Sequence, residues 1–174
     1  MIGWRRLLST LWGGPATLPA EPPDAATTRA LIERLEAAAQ HRLGRSLAIS
    51  HVPGGGCNGC ELEIRMLDSV VYDLARFGLE FVANPRHADV LLVAGPVTRT
   101  MHAPLVRAWE AAPDPKWVVA IGDCAIDGGV FKGSYAVSGG VEAALPVDLV
   151  LRGCPPAPAQ ILSGLRALLE AHAS

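Results

Sequence analysis

Three things are scarce in this sequence: lysine, net charge, and long apolar runs. Lysine occurs only at Lys116 and Lys132. The formal net charge of -2 offers no basic surface for phosphates, which excludes nucleic acid as a partner. No stretch reaches the ~18 consecutive apolar residues needed to cross a bilayer, so no membrane span is expected. An export signal is equally hard to read. The apolar stretch after Arg5-Arg6 is short and is broken by Gly13-Gly14-Pro15. The expected location is therefore cytoplasmic, where cysteines stay reduced and serve metals or catalysis rather than disulfides. Apolar residues, by contrast, are plentiful. Half of the 174 residues are hydrophobic and only 18% are charged. That surplus suits a parallel sheet covered on both faces, or an interface. The preference for arginine over lysine fits a subunit of an assembly, because arginine is the better tolerated of the two in interfaces.

Along the chain, residues 1–12 read as a short amphipathic helix. Trp4, Leu7, Leu8 and Leu11 share one face, with Arg5 and Arg6 off it. Such a helix lies on a membrane surface, on a partner, or on its own domain. Residues 13–23, with four prolines and two glycines, read as a linker. Residues 27–43 read as a helix, with Leu31, Leu35, Ala39 and Leu43 on one face and Gly44 as its stop. From residue 46 strands and helices alternate. The expected strands are Ser46–Val52, Phe81–Ala83, Asp89–Ala94, Trp117–Ile121 and Asp148–Leu151; the expected helices are Cys60–Phe77, Ala103–Ala111 and Ala157–His172. Residues 122–146 hold six glycines without periodicity and read as a loop. Strands separated by helices imply right-handed βαβ units. The expected fold is α/β: a flavodoxin-like open parallel sheet with helices on both faces, plus an N-terminal helical extension. The expected division is 1–45 for the extension and 46–174 for the main domain.

Three of these strands are followed within a few residues by cysteine. The first leads through Pro53 and three glycines to Cys57 and Cys60, the Trp117 strand to Cys124, and the Asp148 strand to Cys154. Carboxyl ends of parallel strands share one edge, and ligands bind at that edge. The element order alone therefore brings the four cysteines together. Four thiolates serve a zinc ion or an iron-sulfur cluster. Structural zinc usually takes two close pairs, whereas here only Cys57-Asn58-Gly59-Cys60 is a pair. Ligands on separate loops suit the larger cluster, and Cys154-Pro155 is the cysteine-proline step found in ferredoxin runs. A thioredoxin-like redox pair or buried structural cysteines stay open as alternatives.

Three segments carry a resemblance to a known family: Cys57-Asn-Gly-Cys60-Glu-Leu-Glu63, Gly122-Asp-Cys124-Ala-Ile-Asp-Gly-Gly129 and Gly153-Cys154-Pro-Pro156. They resemble the small subunit of nickel-iron hydrogenases, in particular the membrane-bound, energy-converting group of formate hydrogenlyase type. The stretches 85–99 and 108–115 look similar too, and the resemblance spans roughly 46–170. It implies one [4Fe-4S] cluster held by Cys57, Cys60, Cys124 and Cys154. It further implies an electron-transfer subunit, part of an oxidoreductase without autonomous activity, on the cytoplasmic side of the inner membrane. The implied partners are a catalytic large subunit, a ferredoxin-like iron-sulfur subunit and membrane subunits. The related complex I subunit of 20 kDa type, beside a quinone site, has two adjacent cysteines at the first motif; Cys-x-x-Cys here favours the hydrogenase branch. Uptake hydrogenase small subunits carry an export signal and a further cluster domain, neither of which is read here. A structural zinc-binding scaffold is the reading of another class.

Other positions carry weaker expectations. Glu63 matches a family glutamate facing the large subunit and is the candidate for proton transfer; its bland role is to complement a helix dipole. Glu61 is the lesser candidate. Thr98 and Arg99 match a loop near the cluster, or merely cap a helix. His51, His87 and His102 read as structural or interface residues. The glycines of 122–140 do not follow Gly-x-Gly-x-x-Gly, so no flavin is expected.

Overall fold

A computed structural model describes residues 25–77 and 79–171; the expected helix at 1–12 and the linker at 13–23 lie outside them. Helix α1 (Ala25–Leu43) comes first. It ends at Gly44, whose positive φ lets its N–H return to the Gln40 carbonyl at 2.9 Å. Then follow β1 (Ala48–Pro53), α2 (Gly59–Leu67), β2 (Glu80–Phe81), β3 (Val90–Ala94), β4 (Val97–Thr98) and α3 (Arg99–Ala111). After them come β5 (Trp117–Ile121), α4 (Asp123–Asp127), β6 (Val137–Gly139), β7 (Leu149–Leu151) and α5 (Pro158–Ala171). Five strands form one sheet in the order β2-β1-β3-β5-β7, every neighbouring pair parallel. This is the flavodoxin-like order.

The sheet is covered on both faces, which is why β3 and β5 are apolar at every position. Leu92 and Ala94 on β3, with Val119 and Ile121 on β5, pack with Leu35 of α1, Ile64 of α2 and Leu165 of α5. Their neighbours Leu91, Val93, Val118 and Ala120 pack on the other face with Leu105 of α3 and Ala125 of α4. Alternation along each strand thus builds two cores on one sheet. Helix α1 packs on α5 and belongs to the first of these cores.

Two expectations need correction. The helix expected over Cys60–Phe77 stops at Leu67. The Ser69 hydroxyl donates to the Met66 carbonyl at 2.6 Å, Asp73 takes φ 47, and a separate 3-10 turn spans Leu74–Phe77. Leu67 and Leu74 are buried as expected, but Val70 and Val71 are 96% and 64% exposed. Two β-branched residues on a solvent-facing turn had mimicked a helical stripe. The expected loop at 122–146 contains α4 and β6, and β6 pairs antiparallel with β4. Elements of five and three residues are too short to show a period.

Candidate metal centre

In this sheet order the topological switch lies between β1 and β3, where flanking loops leave in opposite directions and open a crevice. The chain after β1 crosses the end of β3 and carries its cysteines over to the ends of β5 and β7. Gly54 donates its N–H to the Ala94 carbonyl at 2.7 Å, and its own carbonyl accepts from the Thr98 N–H and hydroxyl, both at 3.1 Å. Backbone passes directly over backbone: a Cβ on Gly95 would stand 2.7 Å from the Gly56 nitrogen. The crossing delivers Cys57, and Cys60 in the first turn of α2, above the end of β5. There Gly122, at φ +88, leaves room for the Cys60 sulfur, to which a Cβ would come within 2.5 Å. Cys124 enters in α4 directly after β5, and Cys154 three residues past β7.

All four cysteines line one cavity of about 60 Å³, together with Glu61, Asp123 and glycine backbone. Cys124 is buried, Cys60 half-buried, and Cys57 and Cys154 are exposed. Burial and the neighbouring Glu61, Cys124, Cys154 and Cys57 push the Cys60 thiol up to about 11. Burial raises the Cys124 thiol too, partly offset by the Val130 amide, which donates to its sulfur. Among the described residues no three His, Cys, Asp or Glu side chains are grouped to hold a metal ion. The sulfurs surround a space several times the ~10–15 Å³ that a single water occupies. A zinc site draws its four sulfurs to about 2.3 Å from one point. Soft thiol donors on separate loops around a cavity therefore fit a polynuclear iron-sulfur group better than a lone ion.

The remaining expected residues fall in different places. Glu61, the lesser candidate, is 8% exposed and borders the cavity. Glu63 is half-buried outside it, near Tyr72, whose hydroxyl is raised first by burial and then by the Glu63 charge. Thr98 starts α3 but makes no side-chain cap; its hydroxyl is spent on Gly54. Arg99 is exposed. His51 on β1 has a buried Nε2 without a hydrogen-bond partner, and burial lowers its pKa despite the attraction of Glu61. His87 lies in the 3-10 turn Pro85–His87 and His102 on α3. Sequence reasoning passed over Asp123, whose partners lie on the Cys154 loop.

The fold and this thiol-lined edge place the chain in a class, the cysteine-rich α/β subunits of flavodoxin-like topology. The chain belongs to the family described as NADH ubiquinone oxidoreductase, 20 Kd subunit, whose model matches residues 57–168. It is 46% identical over 133 residues to formate hydrogenlyase subunit 7 of Escherichia coli strain K12, covering 76% of this chain and 52% of that protein. The chain thus spans about half the length of that relative. It is 44% identical over 128 residues to a probable membrane-bound hydrogenase subunit, mbhJ, of Pyrococcus furiosus, covering 74% of this chain and 77% of that one. Among solved structures it is similar to a chain of the membrane-bound sulfane sulfur reductase, an archaeal respiratory membrane complex. The TM-score is 0.66 at 34% identity, over 81% of this chain and 76% of that chain.

Proposed function

We propose that this chain is an electron-transfer subunit in which Cys57, Cys60, Cys124 and Cys154 hold one [4Fe-4S] cluster beside the catalytic large subunit of a membrane-associated nickel-iron hydrogenase. The observation that carries this reading is the meeting of four thiols from three strand ends around one cavity. When bound, such a cluster accepts and returns single electrons. The chain's own part is to tune it. The Val130 amide donates to the Cys124 sulfur, burial around Cys60 and Cys124 lowers the local dielectric, and Glu61 adds negative charge; all three bear on a reduction potential.

The surface around the site supports a partner. Leu62, two residues past Cys60, is 54% exposed, and Val130, whose amide meets Cys124, is 82% exposed; Cys57 and Cys154 are exposed as well. Apolar side chains of that size around a redox centre suit burial under a large subunit. In this reading a ferredoxin-like subunit exchanges electrons with the cluster and Glu63 relays protons. Residues 46–174 form the cluster-binding unit and 1–45 its extension. Trp4, Leu7, Leu8 and Leu11 hold the chain peripherally to membrane subunits on the cytoplasmic side. No helix among the described residues is long and apolar enough to cross a membrane.

Iron and acid-labile sulfide counted on the full chain, with low-temperature EPR of the reduced protein, test the cluster. Four of each with a reduced-cluster signal is the expected result; zinc without sulfide means a structural scaffold. Nickel in the purified complex tests the hydrogenase assignment. The family description and the sulfane sulfur reductase relative favour a second reading, a complex I-like subunit whose large subunit serves a quinone or another acceptor. A complex with the cluster but no nickel supports it.

A further inference from the structure

Cys154, like Cys57, is an exposed thiol, and Pro155 after it has no N–H to anchor the loop. Gly153 before it has no side chain, and at φ +140 it admits none: a Cβ there would stand 2.7 Å from the Pro156 nitrogen. Ordinary packing therefore does little to place this sulfur. The polar contacts of Gly153 run instead to a single residue just past the neighbouring strand β5. The Asp123 N–H donates to the Gly153 carbonyl at 2.9 Å, and the Gly153 N–H donates to the Asp123 carboxylate at 3.1 Å. The first bond continues the β5–β7 ladder beyond the strand ends, after Gly122 N–H to Leu151 at 2.8 Å. The second comes from a side chain and closes a reciprocal ring around one flexible residue.

Asp123 directly precedes Cys124, and Gly153 directly precedes Cys154. We propose that Asp123 is a positioning residue that clamps Gly153 and so presents Cys124 and Cys154 together to the group they hold. The part concerning that group rests on the cluster reading above; the clamp itself does not. The carboxylate is useful here for its acceptor geometry. Its charge works the other way, adding to the rise of the Cys124 thiol.

The test compares the full chain with Asp123→Asn and Asp123→Ala, by amide hydrogen exchange at residues 152–154 and by iron release to a chelator after anaerobic reconstitution with iron and sulfide. An asparagine side-chain oxygen still accepts the Gly153 N–H, whereas alanine accepts nothing. Losing the acceptor of a part-buried amide speeds local opening by about tenfold in Asp123→Ala, while Asp123→Asn stays within about threefold of the parent. Iron release follows the same order, and the thermal midpoints of the three proteins agree. Asp123→Ala exchanging and releasing iron like the parent overturns the proposal. So does Asp123→Asn falling in with alanine, or a loss of protection spread over the whole sheet. If the parent takes up no iron and sulfide, the cluster reading fails, and the exchange measurement still decides the clamp.

Discussion

The two edges of the sheet use carboxylates for opposite ends. At the amino edge Asp89, 1% exposed, accepts the Ala48 N–H at 3.0 Å and is gripped by both terminal nitrogens of the Arg45 guanidinium. Asp148 accepts the Val118 N–H at 2.7 Å. Each sits just before a strand and pins the start of its neighbour, so these acids hold register. At the carboxyl edge Glu61 and Asp123 border a cavity lined by thiols, among glycines that cede space to sulfur and backbone. The lesson is a division of labour along the strands. Carboxylates hold strand register where strands begin, and the thiols gather where they end.

This division breaks if substitutions at one edge act at the other. The largest effect is expected for Cys124→Ala. Iron and sulfide are lost outright, because three thiolates remain, while the metal-free fold loses only about 1 kcal/mol for one small buried group. A variant with four irons and the parent EPR signal shows that Cys124 is no ligand. Next is Asp89→Ala, which leaves the Arg45 guanidinium and the Ala48 N–H without their acceptor. Because the Arg45 side chain is 56% exposed and can turn to solvent, the cost is chiefly the unsatisfied Ala48 N–H, about 1–3 kcal/mol in denaturant unfolding, with the EPR signal of the folded fraction unchanged. An altered signal there joins the two edges after all.

Within the carboxyl edge the two glutamates sharpen the contrast. Glu63→Gln should slow turnover of the assembled complex by about a hundredfold if it relays protons, with the cluster intact. Glu61→Gln should act on the cluster itself and raise its reduction potential, because a negative charge beside it is removed. If only Glu61→Gln slows turnover, the proton role belongs at the cavity wall.

The smallest effect concerns His51, whose pKa lies below its ordinary 6.5 chiefly because of burial. Below pH 6.5 the unfolded chain binds a proton that the folded chain resists, so stability falls as pH drops from 6.5 through the lowered folded value. The groups facing it are Glu61 and Arg65. His51→Gln removes this titration. Its unfolding free energy should fall less between pH 7 and 5 than that of the parent; equal slopes mean His51 carries none of the pH dependence.

What could be read from the sequence followed from order and composition. Apolar runs at β3 and β5 with helices between them imply a parallel sheet, and a parallel sheet puts the residues after its strands on one edge. That suffices to gather Cys57, Cys60, Cys124 and Cys154, whatever the loops do. It also gave most of α1, α3 and α5, whose stripes are long enough to show a period. Where pattern was short or partners were distant, sequence was mute. Val70 and Val71 kept a helical spacing while facing solvent, and β6 exists only through its pairing with β4.

The sequence by itself determined the sheet, its direction and the residue types at its chemical edge, because hydrophobic periodicity and chain connectivity are local and additive. Only the tertiary structure decided which glutamate borders the cavity, that the Thr98 hydroxyl reaches Gly54 instead of capping its helix, and that Asp123 holds the loop of Cys154. Those choices depend on hydrogen-bond partners some thirty or more positions apart, brought within about 3 Å by folding, and no local pattern encodes a distance of that kind.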